Sequence, residues 1–596
     1  MSEHILVAIA WPYASAKIHT GNVTGSHLPG DIYARYHRLV GDQVLMVSGS
    51  DAHGTPITVV AEEEGESPRA VFERFHQGFL DMFMRLGISY DLFTHTDTEN
   101  HHRVSQDFFR ALLEKEYLYR QVQEQMYSEE QQRFLPDRYV EGVCPKCGYE
   151  NARGDQCDHC NTLLDPEDLI DPRSKLDGSL PVLRETEHFF INLPKLAEAG
   201  LKDWLQQGKE HWRLNVINFA RRYVSEGLKG RPITRDLTWG IPVPMTGWEG
   251  KCLYVWFEAV IGYFSASIEW AHNQGQPEAW KDWWYDPEAK TSYFIGKDNI
   301  PFHAVIWPAE LIGVGRLYEE DVSQKLNLPY DVPANEFMNL EGKKLSASRN
   351  WAVWMDEVLD RYDPDALRYY LTMAMPETRD TDWLWSDFVR RNNNELVATW
   401  GNLVNRALKF AYKRFDGRTP TPGSLGDIDT RLLAKIEAGF DVVGRLIAGC
   451  ELRAALNEVM ALAREANGYL EEKGPWFQIK EDREAAGTTI YVALKAIDSL
   501  KMLFAPFLPF SSERLHSYLG YDDPLLGRQY TANFEEKEGR THKALCYDGS
   551  DATGEWKPSQ LPPGQSLRQP DPLFEKLDES VIEEELKRIG VEKPSV

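Results

Sequence analysis

The apolar positions of this chain change period several times, and each change predicts an element. A short run, Ile5-Leu6-Val7-Ala8-Ile9-Ala10, leads into Trp11-Pro12-Tyr13, and six residues later stands the polar tetrapeptide His19-Thr20-Gly21-Asn22. Beyond it Ile32, Tyr33, Tyr36 and Leu39 recur on one helical face. The order is strand, turn, polar tetrapeptide, helix. Residues 43–48 predict a buried strand that ends in Gly49-Ser50-Asp51-Ala52-His53-Gly54, and 68–86 and 99–116 predict helices. This alternation is half of a doubly wound α/β parallel sheet, in which ligands sit beyond the carboxyl ends of the strands. The His19 and Asp51 turns both occupy that position.

The pattern then breaks. Residues 1–115 form the first half of the α/β unit, and 116–230, rich in Pro, Asp and Gly, read as an insertion. A second strand–helix set fills 231–324, and a connector spans 325–387. From 388 to 519 the helical period is long and has few breakers, which predicts an all-α domain. Residues 520–570 are dense in Pro, Gly and charge and read mostly as loop, before a last amphipathic helix over 571–589 within the extension 520–596. No internal repeat is present.

Three clusters carry candidate chemistry. The first is the tetrapeptide: free N–H groups and the dipole at a helix N-terminus favour anions, and Gly21 lets one approach. The second is Asn339-Leu-Glu-Gly-Lys343-Lys344-Leu345-Ser346-Ala347-Ser348-Arg349, a basic loop with mobile cations and two hydroxyls. The third is Cys144-Pro-Lys-Cys147 with Cys157-Asp-His-Cys160, spaced C-x2-C-x9-C-x2-C. Four thiolates at this spacing close a tetrahedral structural zinc site and leave no open position for catalysis. Cys252, Cys450 and Cys546 are scattered, so the seven cysteines are no disulfide framework and suit a reducing cytoplasm.

Composition changes this picture little. With 42% hydrophobic and 27% charged residues over 596 positions, the chain is expected to be globular with about three or four domains. No apolar run reaches the roughly 18 residues of a membrane span, and no secretion signal is evident. The net charge of −26 argues against a nucleic-acid partner in general, but phosphate recognition depends on local basic clusters.

The tetrapeptide and the basic loop together resemble the signature pair of class I aminoacyl-tRNA synthetases. Ala10-Trp11-Pro12-Tyr13, the Gly49–Pro56 stretch, Tyr254-Val-Trp256-Phe-Glu-Ala259-Val260-Ile-Gly-Tyr263 and Phe294-Ile-Gly296-Lys297-Asp298-Asn299-Ile-Pro-Phe302-His303 are similar to the methionyl-tRNA synthetase family, in the right order from about residue 5 to about 520. The resemblance implies a Rossmann-type sheet split by a zinc-knuckle connective insertion and followed by an anticodon-binding helical bundle. It implies ATP held by His19, Gly21, Asn22, Gly296, Asp298 and the loop Lys343, Lys344, Leu345, Ser346, Ala347 and Ser348, with His19, Asn22 and Lys344 acting on the phosphates. Methionine would lie among Ala10, Trp11, Tyr13, Trp256, Ala259, Val260, Tyr263 and His303, its ammonium on Asp51. Asn402, Arg406 and Trp476 would bind the anticodon of tRNA(Met). Magnesium would accompany ATP, and with little folded sequence after the helical domain a monomer is expected.

The chain departs from the common pattern in places. Asn22 stands where a second histidine is usual, Leu345 and Ala347 replace the Met and second Lys of the basic loop, and Val260 replaces a Pro. An amide can still donate a hydrogen bond, whereas Ala347 removes one cation. Two other readings remain open. Synthetases for isoleucine, leucine or valine carry a larger editing insertion than 116–230, because one methylene discriminates poorly. A tRNA-binding relative without chemistry is kept open by Asn22 and Ala347.

Overall fold

The structure, a computed structural model, describes residues 2–136, 139–154, 157, 159–160, 162, 164, 166–346, 350–536 and 539–591. A central sheet runs in the order Ala334–Asn335, Lys290–Gly296, His4–Ile9, Gln43–Ser50, Leu92–His95, Thr541–Asp548 and Arg528–Glu535. The first five strands are parallel. Nearly all of His4–Ile9 and most of Gln43–Ser50 are buried, which is why both read as continuous apolar runs rather than alternating ones.

Residues 520–570 are mostly loop, as expected, and the last two strands are the regular part within them. They form an antiparallel hairpin that joins the sheet through Leu545 opposite Phe93 and Cys546 opposite Leu92. Ala544, Leu545 and Cys546 are buried there, and the hairpin covers an edge that would otherwise expose unpaired backbone groups. The final helix is shorter than expected, Ser580–Arg588 rather than 571–589. Ahead of it the chain is not helical, because Leu573 and Phe574 are buried in the helical core while Asn392 and Asn393 donate to the carbonyls of Glu575 and Leu577.

Helix Pro68–Leu86 has the bounds expected from sequence: Ser67 accepts from the Ala70 N–H at its start, and Gly87 (φ 74°) closes it in the left-handed region. Helix Glu99–Glu114 stops two residues early. The insertion holds a four-stranded antiparallel sheet built on Leu118–Ser128 and Val182–Ile191, and a small three-stranded one around the cysteines. The latter packs on helix Thr55–Glu64, where Tyr139 donates to Thr58 at 2.7 Å. Helices fill Trp385–Arg391 to Pro509–Tyr518. Arg368, fully buried, donates to Asp31 at 2.7 Å and to the carbonyls of Leu86, Gly87, Pro506 and Phe507. Sheet, connector and helical bundle meet at this one guanidinium. No helix among the described residues is long and apolar enough to cross a membrane.

Candidate active site

The tetrapeptide caps its own helix. The Asn22 N–H donates to His19 Nδ1 at 3.3 Å, and the His19 N–H donates to Asn22 Oδ1 at 3.1 Å. This reciprocal cap fixes two chemical identities. With Nδ1 accepting, the neutral His19 ring carries its proton on Nε2, and burial holds its pKa down at about 4. With Oδ1 accepting, Asn22 keeps Nδ2 as its donor group. One imidazole N–H and one amide N–H are therefore defined at a helix N-terminus.

The basic loop comes to this turn. A side chain on Gly21 would stand 2.8 Å from Leu345 Cδ1, so the glycine is needed for the two segments to meet. His19 and Trp354 form an antiparallel bridge, and their rings lie 6.1 Å apart. Lys343 and Lys344 are exposed, held over the rings of Trp351 (5.0 Å) and Phe337 (5.7 Å). Ser346 and Trp351 exchange two backbone hydrogen bonds of 2.9 Å. Ala347 and Ser348 lie outside the described residues. Asp298, its pKa raised by burial, sits where a side chain on Gly296 would meet its Oδ1 at 2.7 Å.

The apolar pocket stands on helix Val255–Asn273. Trp256 stacks on Phe302 at 4.2 Å, and Tyr13 meets Trp256 edge-on. The Tyr263 hydroxyl donates to His303 Nε2 at 2.7 Å, while His303 Nδ1 donates to the Asn299 carbonyl at 3.0 Å. Burial pushes the His303 pKa down to about 4, so this pair carries no charge near neutrality. Ala259 and Val260 are buried on the same helix. Ala10 donates its N–H to the Phe294 carbonyl at 3.1 Å. Trp11 serves as backing: its ring fills the space left by Gly49 and Gly262, where side chains would approach it to 2.2 and 2.6 Å.

Asp51 is buried and is tied to the Tyr13 segment by a parallel bridge. Burial and the nearby Glu258 carboxylate raise its pKa well above the usual range, while the His53 imidazole opposes the shift. Glu258 accepts from His53 Nδ1 at 2.8 Å and from His101 Nε2 at 2.7 Å. His53 also faces Asp97 at 3.7 Å, and despite its burial these two carboxylates raise its pKa to about 10. A cation entering beside Asp51 would restore its ionised form.

This arrangement matches known proteins. The family model for tRNA synthetases class I (M) matches residues 5–408, and that for the anticodon binding domain of methionyl tRNA ligase matches 419–541. The methionine--tRNA ligase of Thermomicrobium roseum is 58% identical over 99% of both chains, and that of Roseiflexus castenholzii 54% over 99% of both. The chain belongs to the methionyl-tRNA synthetase family. Among solved structures, Mycobacterium tuberculosis methionyl-tRNA synthetase in complex with methionyl-adenylate superposes with a TM-score of 0.74 at 25% identity, covering 96% of this chain and 100% of that one.

Two further features of this family member lie away from the pocket. Cys144 and Cys160 Sγ are 3.8 Å apart, Cys147 and Cys157 Sγ 3.6 Å, and all four sulfurs fall within 4.8 Å of one another. A tetrahedral zinc with Zn–S bonds of about 2.3 Å has sulfur–sulfur edges of about 3.8 Å, so the donor set fits that ion. In the helical bundle, Asn402 is exposed and Arg406 lies one turn along the same face, its guanidinium 4.4 Å over the Trp476 ring. Trp476 is half-buried rather than free on both faces; the ring that projects is its neighbour Phe477, 68% exposed.

The sequence reading assigned no role to His53, Glu258, His101 or Phe302. Three of them stood inside quoted stretches, His53 in Gly49–Pro56, Glu258 two positions after Trp256 and Phe302 beside His303, and for the two ionisable ones the signal was a buried-type position occupied by an ionisable residue.

Proposed function

We infer that this chain activates L-methionine with ATP to methionyl-adenylate and transfers the methionine to the 3′ end of tRNA(Met), serving translation and its initiation. The observation that carries the reading is the meeting of the His19–Asn22 cap with the Lys343–Ser346 loop beside an uncharged pocket of aromatic rings.

In the first step a methionine carboxylate oxygen attacks the α-phosphorus of ATP. The bond to the bridging oxygen breaks, and pyrophosphate leaves with that electron pair. His19 Nε2–H and Asn22 Nδ2–H donate to the phosphates, and Lys344, aided by Lys343, pairs with the departing pyrophosphate. Catalysis of this kind is placement plus fixed charge, with no protein nucleophile. Gly296 and Asp298 receive the nucleotide sugar. Magnesium entering with ATP as part of that substrate would supply neutralisation of phosphate charge.

Selection of methionine rests on polarizability and neutrality. Tyr13, Trp256, Ala259, Val260, Tyr263 and His303 offer rings and aliphatic walls to the thioether, and Asp51 pairs with the ammonium. In the second step the terminal ribose hydroxyl attacks the carbonyl carbon, the ester forms and AMP leaves. Asn402, Arg406 and Trp476 contact the anticodon; the Arg406-capped indole keeps one face for an unstacked base. Cys144, Cys147, Cys157 and Cys160 hold a structural zinc that closes the knuckle on helix Thr55–Glu64. The free cysteines suit a reducing cytoplasm, and the chain works as a monomer.

Methionine-dependent exchange of labelled pyrophosphate into ATP tests the reading. Exchange with methionine and none with isoleucine, leucine, valine or cysteine supports it. No exchange with any amino acid, in folded protein, would make this a tRNA-binding relative without chemistry.

A further inference from the structure

The hairpin Arg528–Glu535/Thr541–Asp548 does more than cover a sheet edge. From its turn, Arg540 reaches the loop that follows strand Leu92–His95 and donates both to the Asp97 carboxylate, at 2.9 Å, and to the Asp97 backbone carbonyl. Asp97 is 3% exposed, and its two oxygens divide the work. Oδ2 takes Arg540 and Arg69, the latter at 2.7 Å, while Oδ1 faces His102 at 3.4 Å and His53 at 3.7 Å. His53 then bonds Glu258, beside Asp51.

The backbone follows the same route. The Thr96 N–H donates to the Ser50 carbonyl at 3.1 Å, and the Ala52 N–H donates to Thr96 Oγ1 at 2.9 Å. The residues on either side of Asp51 are thus held by the residue next to Asp97. The hairpin also grips the pocket helix, since His542 Nε2 meets Glu269 at 2.9 Å, and Glu536 accepts from the Glu99 N–H at 3.0 Å. A segment more than 400 positions away in sequence therefore anchors the turn that carries Asp51.

We propose that Arg540 is a positioning residue for the amino-acid pocket: by holding both the carboxylate and the carbonyl of Asp97, it fixes the turn that presents His53 and Asp51 to the methionine ammonium. This rests on the reading of Asp51 as the ammonium partner. Arg540 touches neither substrate. Its effect is expected on the amino-acid side, because its partner Asp97 faces His53 while Lys343 and Lys344 lie over Trp351 and Phe337.

The test is pyrophosphate exchange with the full chain carrying Arg540→Met or Arg540→Lys, with melting temperature followed alongside. Arg540→Met is expected to raise KM for methionine about tenfold, the scale of one charge-assisted hydrogen bond, and to leave KM for ATP within about twofold. Arg540→Lys, which restores the pairing with the carboxylate, is expected to recover a large part of that loss. If Arg540→Met does not fold, Arg540→Lys alone carries the test through an intermediate rise in the methionine KM. An unchanged methionine KM in folded Arg540→Met overturns the proposal, as do equal rises for both substrates or an Arg540→Lys chain no better than Arg540→Met. Asp51→Asn separates the two ideas. If it leaves the methionine KM unaltered, the ammonium assignment and this inference fall together; if it acts while Arg540→Met does not, only the coupling falls.

Discussion

The amino-acid pocket and the basic loop differ in how they hold their polar groups. In the pocket nearly every one is buried and paired: Tyr263 with His303, His303 with a carbonyl, Glu258 with two imidazoles. In the loop the two lysines stand in solvent over the faces of Trp351 and Phe337. Under the proposed function the contrast follows from the two tasks. Telling methionine from other side chains requires groups that are desolvated and fixed, so that a wrong ligand leaves a buried partner unsatisfied. Stabilising pyrophosphate as it leaves requires cations that are free to follow it.

Lysine 344 should separate the two regions most sharply. Lys344→Ala is expected to lower kcat for exchange about 100- to 1000-fold, as loss of one transition-state donor does, with methionine binding by calorimetry within about twofold. A comparable loss of methionine affinity would break the division. Trp476→Ala provides an outside reference: tRNA charging should fall roughly ten- to hundredfold, the scale of one base stacked on an aromatic ring. Pyrophosphate exchange should stay within about twofold; equal loss of both activities would make Trp476 a residue of the helical core. In the pocket, Tyr263→Phe leaves His303 Nε2 buried without its donor, and the methionine KM should rise about tenfold at constant ATP KM.

The smallest effect is the response to pH. His303 and His19 both have pKa values depressed by burial to about 4, so both stay neutral from pH 8 down to about 5. The part of the methionine KM that depends on these two imidazoles should be flat over that range and climb only as pH approaches 4. Stability carries the same sign. The unfolded imidazoles, with ordinary values near 6.5, bind protons that the folded ones refuse. These two residues therefore contribute stability above about pH 6.5, which is lost progressively as pH falls toward 4. A rise in methionine KM already near pH 6.5 that is abolished by His303→Gln would mean that His303 is solvated, and that the pocket resembles the loop more than the geometry indicates.

The parts legible in the sequence are those set by local rules or by rare residue types. Helix Pro68–Leu86 was readable because Pro68 and Gly87 punctuate it, and the cysteine cluster because its spacing is specific. The turn at Asp51 was readable because strand Gln43–Ser50 runs straight into it, and that at His19 because a polar tetrapeptide opens a helical period. What stayed hidden depends on distant partners. His53 and Glu258 are 205 positions apart, and only the fold pairs them. Arg528–Glu535 and Thr541–Asp548 lie in a stretch dense in Pro, Gly and charge, and become strands because the edge at Leu92–His95 is there to receive them. The guanidinium of Arg406 across the face of Trp476 was not legible either.

That late hairpin gives the chain a timetable. Strand Leu92–His95 leaves the ribosome early, whereas its neighbour Thr541–Asp548 follows some 450 residues later, by difference of the strand positions. At about 5–20 residues per second the interval is roughly 20 to 90 seconds. Throughout it the edge of the sheet is open and the Asp97 carboxylate lacks Arg540. Nascent chains spend that time with an unpaired β-edge, the kind of surface that other nascent chains or a chaperone can engage, and the Asp51 turn gains its Arg540 anchor only after the hairpin has emerged.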